Sequence, residues 1–259
     1  MCPSDGHLIH SRSTMKIIII VQARMTSTRL PGKVLLPVLQ KPLLEYQIER
    51  LLRVRWADEV AIATTLNQTD QPIVDLCQQL QVPIFRGSEE DVLARYYETA
   101  VSCKADVVVR VTSDCPLIDP AVIDTVIRRY LDQNPYADYV SNTLERTFPR
   151  GMDTEVFSMR ALTEAHQEAQ AQSDREHVTP FIHRQSHRYL CQSIKAGINH
   201  SQHRWTVDTP EDFELIRRML ESLYPQTPHF SLSDCLNLID QHPDWPLLNA
   251  HVEQKQYGE

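Results

Sequence analysis

The apolar positions of the first half of the chain alternate between short β-branched runs and stretches of helical spacing. Residues 16–22 (KIIIIVQ) are apolar on both faces, the mark of a strand buried on both sides. Residues 43–54 then show helical spacing. Residues 58–64 (DEVAIAT) predict a second strand, and 71–80 a second helix opened by Thr69, Asp70 and Pro72. A short strand at 82–85, a helix at 89–102, a strong strand at 105–112 (ADVVVRVT), a helix at 120–131 and a strand at 138–141 complete the series. Such alternation predicts a three-layer α/β/α fold: a mostly parallel sheet, right-handed crossovers and helices on both faces.

The second half is less regular. Strands are expected at 155–157 and 188–193, and helices at 160–171, 176–184, 211–223 and 231–241, before a polar tail. No repeat or Gly/Ser linker interrupts the chain. The reading is one domain over 15–259, with a dimerisation and acceptor lobe at about 138–201. Phe148, Met152 and Phe157 are expected to form the apolar core of a homodimer contact there. Residues 1–14 precede the first strand and are expected to be a disordered extension.

Chemistry gathers where predicted strands end, the edge at which open α/β sheets bind ligands. After the first strand comes QARMTSTRLPGK (22–33), with two arginines, a lysine, three hydroxyls and a Pro-Gly turn. Arginine offers phosphate a planar fork and lysine a mobile point charge. The run is neither a P-loop nor a dinucleotide fingerprint, since the glycines those motifs need are missing. After the strong strand comes RVTSDCPLID (110–119). Asp114 there suits a Mg²⁺ ion, which takes one or two carboxylates plus phosphate oxygens and water. Asp119, before Pro120, fits a helix N-cap. In RWTVDTPED (204–212) a short strand is expected to end at Asp208, with Thr209 as N-cap and Pro210 opening a helix. Asp208 would complete a two-carboxylate metal site with Asp114, and without metal the two would repel each other.

Charge and cysteines narrow the class. A net charge of −8 argues against a nucleic-acid polymer as partner. No apolar run is long enough to span a bilayer. Six scattered cysteines without a CxxC pair point to reduced thiols in the cytoplasm. His183 with His187, and His200 with His203, lack the spacing of a zinc site. Tyr96, Tyr97 and Trp56 read as core or interface.

Taken together, the motifs resemble the cytidylyltransferases that make CMP-sugars, such as CMP-Kdo and CMP-acylneuraminate synthetases, and above all the spore coat polysaccharide branch of that family. The first loop with the following VL (22–35), RGSEEDVLARYY (86–97), VRVTSDCPLIDP (109–120), GMDTEVFS (151–158), DREHVTPFI (174–182) and RWTVDTPEDFELI (204–216) carry the resemblance. It implies a glycosyltransferase-A-like nucleotidyltransferase fold and transfer of CMP from CTP, with pyrophosphate released, to a sugar acid or similar acceptor. It further implies Arg24, Lys33, Asp114 and Asp208 as catalytic residues, with Mg²⁺ on Asp114 and Asp208. Gln22, Ala23, Arg24, Ser27, Lys33, Arg86, Gly87, Ser88, Asp91, Ser113 and Asp114 would hold the nucleotide. Asp153, Glu155, Glu176 and His177 would meet the acceptor. Cys115 has no part in that scheme and reads as packing. A glycosyltransferase using a nucleotide-sugar is the competing enzyme, against which stands the single Asp of Ser113-Asp114-Cys115 where a DxD pair is usual. A catalytically silent nucleotide-binding protein is the reading from another class.

Overall fold

The computed structural model describes residues 15–133 and 137–254; the expected N-terminal extension lies outside them. The chain runs β1 (Ile17–Gln22), a small hairpin of β2 (Pro37–Val38) and β3 (Lys41–Pro42), α1 (Leu43–Leu51), β4 (Glu59–Thr65), α2 (Gln71–Gln79) and β5 (Ile84–Gly87). It continues with α3 (Val92–Ser102), β6 (Val107–Thr112), α4 (Pro120–Asp132), β7 (Tyr139–Ser141), β8 (Glu155–Ser158) and α5 (Met159–Glu168). The end comprises α6 (Gln172–His177), α7 (Pro180–His183), β9 (Cys191–Ser193), α8 (Pro210–Leu223) and α9 (Leu232–Gln241).

Seven strands form one sheet in the order β5-β4-β1-β6-β8-β7-β9, parallel except for β8, which runs antiparallel to β6 and β7. β1 lies inside the sheet, so both its faces must be covered, which is why it is apolar at every position but the last. Its odd residues Ile17, Ile19 and Val21 pack with α1, α2 and α4. Ile18 and Ile20 pack with α3 and α5 on the other face. This is the expected three-layer α/β/α fold. The chain steps from β1 to β4 and β5 on one side, then crosses back so that β6 pairs with β1 on the other. That reversal opens a crevice beyond the carboxyl ends of β1 and β6.

A third apolar cluster, including Tyr46, Met152, Trp205, Val207 and Phe230, docks α8 and α9 beside α1. α8 begins as expected: Thr209 and Asp212 form a reciprocal capping box, with Pro210 in the first turn. Asp119 likewise caps α4, accepting from the Ala121 N–H at 2.8 Å.

Several expectations give way. The helix from 89 shortens to Val92, because Asp91 caps it by accepting from the Ala94 N–H. The single helix expected at 176–184 is two, broken where Val178 takes φ 73° between α6 and α7. The strand expected at 188–193 keeps only Cys191–Ser193. Within 138–201, β7, β8 and β9 belong to the central sheet. Phe148, Met152 and Phe157 are buried within the chain itself, so they are not free to form the core of a contact with a second copy.

Candidate active site

The crevice at the strand reversal is a cavity of about 400 Å³. Gln22 and Thr112 end β1 and β6 opposite each other in register, and both line it. The first loop is folded over it by the Pro31-Gly32 turn. Gly32 takes φ 71°, open to glycine without strain, and its N–H donates to the Met25 carbonyl at 2.8 Å. The Met25 N–H in turn donates to buried Asp70 at 2.7 Å. Ala23, Arg24, Ser27, Thr28, Arg29 and Lys33 are thereby brought to the cavity wall.

Asp114 leaves the end of β6, and Asp208 comes from the segment before α8. That segment is not the strand expected to end at Asp208. Only Arg204 makes a sheet bridge, with Arg150, and the Val207 N–H donates instead to the Asp114 carbonyl at 2.8 Å. The segment has no neighbouring strand along its length, so it pairs locally and threads between two loops. A Cβ on Gly151 would lie 2.4 Å from the Trp205 carbonyl oxygen, so this crossing closes only over glycine.

The crossing brings the two aspartates to one cation. Lys33 Nζ donates to Asp208 Oδ1 at 2.8 Å and lies 3.2 Å from Asp114 Oδ2. Arg29 and Arg204 reach Asp208 Oδ2 at 2.9 and 3.0 Å, and the Thr112 hydroxyl donates to Asp114 at 2.6 Å. The expected repulsion between two bare carboxylates is absent for this reason. Burial pushes the Asp114 carboxyl up, but the Lys33 charge and hydrogen bonds from Thr112, Cys115 and Lys33 outweigh it and hold the pKa at about 2. Burial likewise works against the Lys33 charge, and the two aspartates more than offset it, leaving its pKa above the ordinary lysine value.

Of the remaining expected site residues, Ser113, Glu176 and His177 line the cavity, the last two from α6. Burial is the main cause holding the His177 pKa below the ordinary imidazole value. Arg86, Gly87, Ser88 and Asp91 do not line it. Arg86 donates to the Thr65 and Asn67 carbonyls at 2.9 and 2.8 Å, bracing its own loop, and Asp91 pairs with Arg175 at 2.6 Å. Asp153 is held by the two ends of Arg146 at 2.5 and 2.8 Å, away from the cavity lining. Glu155 is outside the lining as well: it pairs with Arg110 and accepts from the Tyr139 and Thr179 hydroxyls at 2.5 and 2.6 Å. The Tyr139 and Thr179 side chains that hold it are buried.

Arg95 and Gln172, for which the sequence suggested no role, also line the cavity, as do Arg29 of the first loop and Glu89 and Glu90 of the 86–91 stretch. Arg29 shares the loop of Arg24, a signal that was available. Glu89 accepts from Thr26 and Asn67 and faces Arg24 at 3.4 Å, tying the first loop to the β5–α3 connection. Hydrogen bonds from Thr26 and Asn67 lower its pKa, against a smaller opposing effect of burial.

Two aspartates converging on one ammonium also fit a divalent cation. Lys33 stands as a positive charge within reach of both carboxylates, and phosphate oxygens and water would complete the octahedron Mg²⁺ requires.

Known proteins resemble this chain in sequence and fold. The cytidylyltransferase family model matches residues 18–234. The uncharacterized protein MJ1063 of Methanocaldococcus jannaschii is 36% identical over 252 residues, 95% of this chain and 99% of its own. The spore coat polysaccharide biosynthesis protein SpsF of Bacillus subtilis is 34% identical over 88% of this chain and 95% of its own. The 3-deoxy-manno-octulosonate cytidylyltransferase of Geobacter metallireducens matches in part, 35% identical over 44% of each chain. The solved structure of a cytidylyltransferase from Leptospira borgpetersenii superposes with a TM-score of 0.86 at 30% identity, covering 93% of this chain and 99% of that one. Sequence, fold and cavity thus converge, and the chain belongs to the cytidylyltransferase family of nucleotidyltransferases.

Proposed function

We propose that the protein transfers CMP from CTP to a hydroxyl of a sugar acid or similar acceptor and releases pyrophosphate, for surface polysaccharide or glycoconjugate synthesis. The observation that carries this reading is the bridge of Lys33 between Asp114 and Asp208, with Arg29 on Asp208 and Arg24 at the mouth. A triphosphate offers these cations better partners than the carboxylates do, since it is more highly charged and accepts at several oxygens. Once Lys33 and Arg29 turn to phosphate, Asp114 and Asp208 are freed for Mg²⁺. When bound, that ion supplies charge neutralisation at the α-phosphate and the leaving pyrophosphate.

The acceptor hydroxyl oxygen attacks the α-phosphorus and gives its proton to water, and the bond to the bridging oxygen breaks with its electron pair going to pyrophosphate. Arg24, Arg29 and Lys33 orient the triphosphate and offset the charge that builds on the departing oxygens. Glu176 and His177, on the α6 wall, stand where an acceptor hydroxyl can be bound. The sugar acceptor is supported by the names of SpsF and of the octulosonate enzyme among the relatives. A homodimer and a cytoplasmic setting, where CTP is made, complete the proposal; no described helix is long and apolar enough to cross a membrane.

Pyrophosphate release tests it, with each of the four nucleoside triphosphates against octulosonate, acylneuraminate and neutral sugars, with and without Mg²⁺. Release confined to CTP, an acidic sugar and Mg²⁺ is expected. Equal release from UTP or ATP would remove the cytidylyl assignment, and release with CTP only from neutral sugars would remove the sugar-acid class.

A further inference from the structure

Asp208 is held from two sides, and only one of them faces the cavity. Lys33 on Oδ1 and Arg29 on Oδ2 belong to the first loop and line the cavity. Arg204, whose Nη2 lies 3.0 Å from Oδ2, does not line it and is only 9% exposed. A triphosphate that draws off Lys33 and Arg29 therefore leaves Arg204 on the carboxylate.

Arg204 is itself fixed. Its Nε and Nη2 grip Asp212 at 2.9 and 3.0 Å, and Asp212 is fully buried. The same carboxylate accepts from the Asp208 and Thr209 N–H groups at 3.0 and 3.2 Å, so it holds the backbone of Asp208 while Arg204 holds its side chain. The segment after α9 returns to complete the assembly. Buried Asn249 donates to Asp212 at 2.8 Å and to the Arg204 carbonyl at 2.9 Å, and Gln254 accepts from Arg204 Nη1 at 2.6 Å.

Capping a helix does not require such a clamp. Ser231 and Asp234 cap α9 with the same reciprocal box, with no arginine ion-paired to Asp234 among the described residues. What the arginine adds at α8 is direction. A metal ion needs each ligand oxygen presented at a set distance and angle, and the groups that hold a ligating carboxylate from outside supply that. With Oδ2 kept by Arg204, Oδ1 is the oxygen turned to Lys33, which in turn lies 3.2 Å from Asp114 Oδ2. A planar guanidinium can grip both aspartates at once, and the single ammonium of lysine cannot reproduce that fork.

We propose that Arg204 is a positioning residue of this site: it clamps Asp208 Oδ2 to Asp212 and so presents Oδ1 to the Mg²⁺ ion, with Asn249 pinning the clamp from the C-terminal segment. The proposal rests on the metal reading of Asp114 and Asp208 above.

Calorimetry with inorganic tripolyphosphate, with and without Mg²⁺, tests it without acceptor or turnover. The quantity read is the factor by which Mg²⁺ tightens tripolyphosphate binding. A general loosening of the phosphate end weakens binding with and without the ion alike and leaves that factor unmoved. Arg204→Lys keeps a charge beside Asp212 and loses the fork; it should lower the factor at least about tenfold, the scale of losing a group that holds a metal ligand. Asp208→Asn should lower it too. Adding Arg204→Lys to Asp208→Asn should then cost less than about twofold more, because the arginine acts through that carboxylate. If Arg204→Lys does not fold, Asn249→Ala decides in its place. It keeps every charge and should lower the factor at least about threefold, the scale of one hydrogen bond, again only while Asp208 is present. No tightening by Mg²⁺ in the unaltered protein would remove the metal reading itself. A factor that stays within about twofold of the unaltered value in the variant that folds, or that falls equally with and without Asp208, would overturn the role of Arg204 and leave that reading standing.

Discussion

The cluster around Asp208 and the cluster around Glu155 are made of the same residue types, carboxylates held by arginine or lysine and capped by hydroxyls. Exposure hardly separates them, with the Asp208 side chain 13% exposed and that of Glu155 9%. Their neighbours do. Lys33, Arg29 and Thr112 all line the cavity, so these three partners of the aspartates can be taken over by a ligand that enters it, while Arg204 stays on Asp208 from outside the lining. Glu155 accepts instead from Tyr139 and Thr179, both sealed in the core, and its cation Arg110, itself outside the lining, extends to Gln22 at 3.3 Å. On the proposed reading, one cluster is an ion-exchange site and the other a foundation. A buried charge therefore indicates function only when its partners are replaceable.

Breaking the foundation should give the largest effect. Glu155→Gln leaves Arg110 without its charge partner, and breaking such a buried pair costs about 3–5 kcal/mol, a fall in Tm of roughly 6–20 °C for a chain of this size. Differential scanning calorimetry measures it. The pH dependence should change with it. Burial pushes the Glu155 carboxyl up, but Arg110 and the hydroxyl and guanidinium hydrogen bonds outweigh that, so its folded pKa lies below the ordinary value of 4.5. A depressed carboxylate contributes stability that is complete above its unfolded pKa and is lost as pH falls through the folded one. The unaltered protein should lose that contribution on acidification below about pH 4.5, and Glu155→Gln should show a flatter acid branch. A Tm within about 2 °C of the unaltered protein would mean that Glu155 is no foundation, and would reopen it as a ligand contact.

The exchange site should fail the other way. Asp114→Asn keeps the volume and removes a charge on which Lys33 depends and, on the proposed reading, a Mg²⁺ ion as well. Turnover should fall by about 10²–10³-fold, the scale of losing one preorganised electrostatic contact in a transition state. Its Tm should move less than that of Glu155→Gln, because Asp208 still holds Lys33 at 2.8 Å. Adding Asp208→Asn should lower turnover by much less than the product of the two single effects, since groups that act as a unit are not additive. Steady-state pyrophosphate release beside melting curves reads both quantities. Near-normal turnover with a large loss of stability in Asp114→Asn would make the two clusters alike.

The regular half of the fold was legible because burial on both faces leaves a plain record: an all-apolar β1 cannot be a surface strand. That the basic loop after β1 and Asp114 share one crevice was legible too, since open sheets bind at strand ends, whereas Asp208 reaches it without the strand expected to carry it. Glu155 was expected at the acceptor through the resemblance of GMDTEVFS alone, and the structure leaves it outside the cavity lining. That β8 is inserted antiparallel between β6 and β7, with α6 and α7 folded beneath, is a long-range fact invisible in the local pattern. The break at Val178 was hidden likewise, since a valine at φ 73° is imposed by tertiary packing and not signalled by glycine. Arg95 was lost in an amphipathic helix, where one arginine reads as solvated until the structure buries it.

The smallest expected effect concerns Cys115, which touches the exchange site without belonging to it. Its Sγ donates to Asp114 Oδ1 at 3.4 Å and its side chain is buried against the core. Burial, reinforced by the adjacent Asp114 charge, pushes the thiol well above its ordinary pKa, so it carries a proton at neutral pH and is no nucleophile. What it contributes is volume and one weak hydrogen bond. Cys115→Ala should therefore lower stability by about 1 kcal/mol through the small cavity left behind, a shift of roughly 2–4 °C in Tm. Turnover should stay within about threefold of the unaltered enzyme, because Thr112 at 2.6 Å and Lys33 still hold the Asp114 carboxylate. Cys115→Ser separates the two contributions, since it restores a stronger donor to Asp114 at nearly the same size and should recover any turnover that alanine loses. A drop of about 10²-fold in Cys115→Ala that serine does not recover would contradict this, for it would give the sulfur itself a part in the chemistry that a protonated, buried thiol has no means to play.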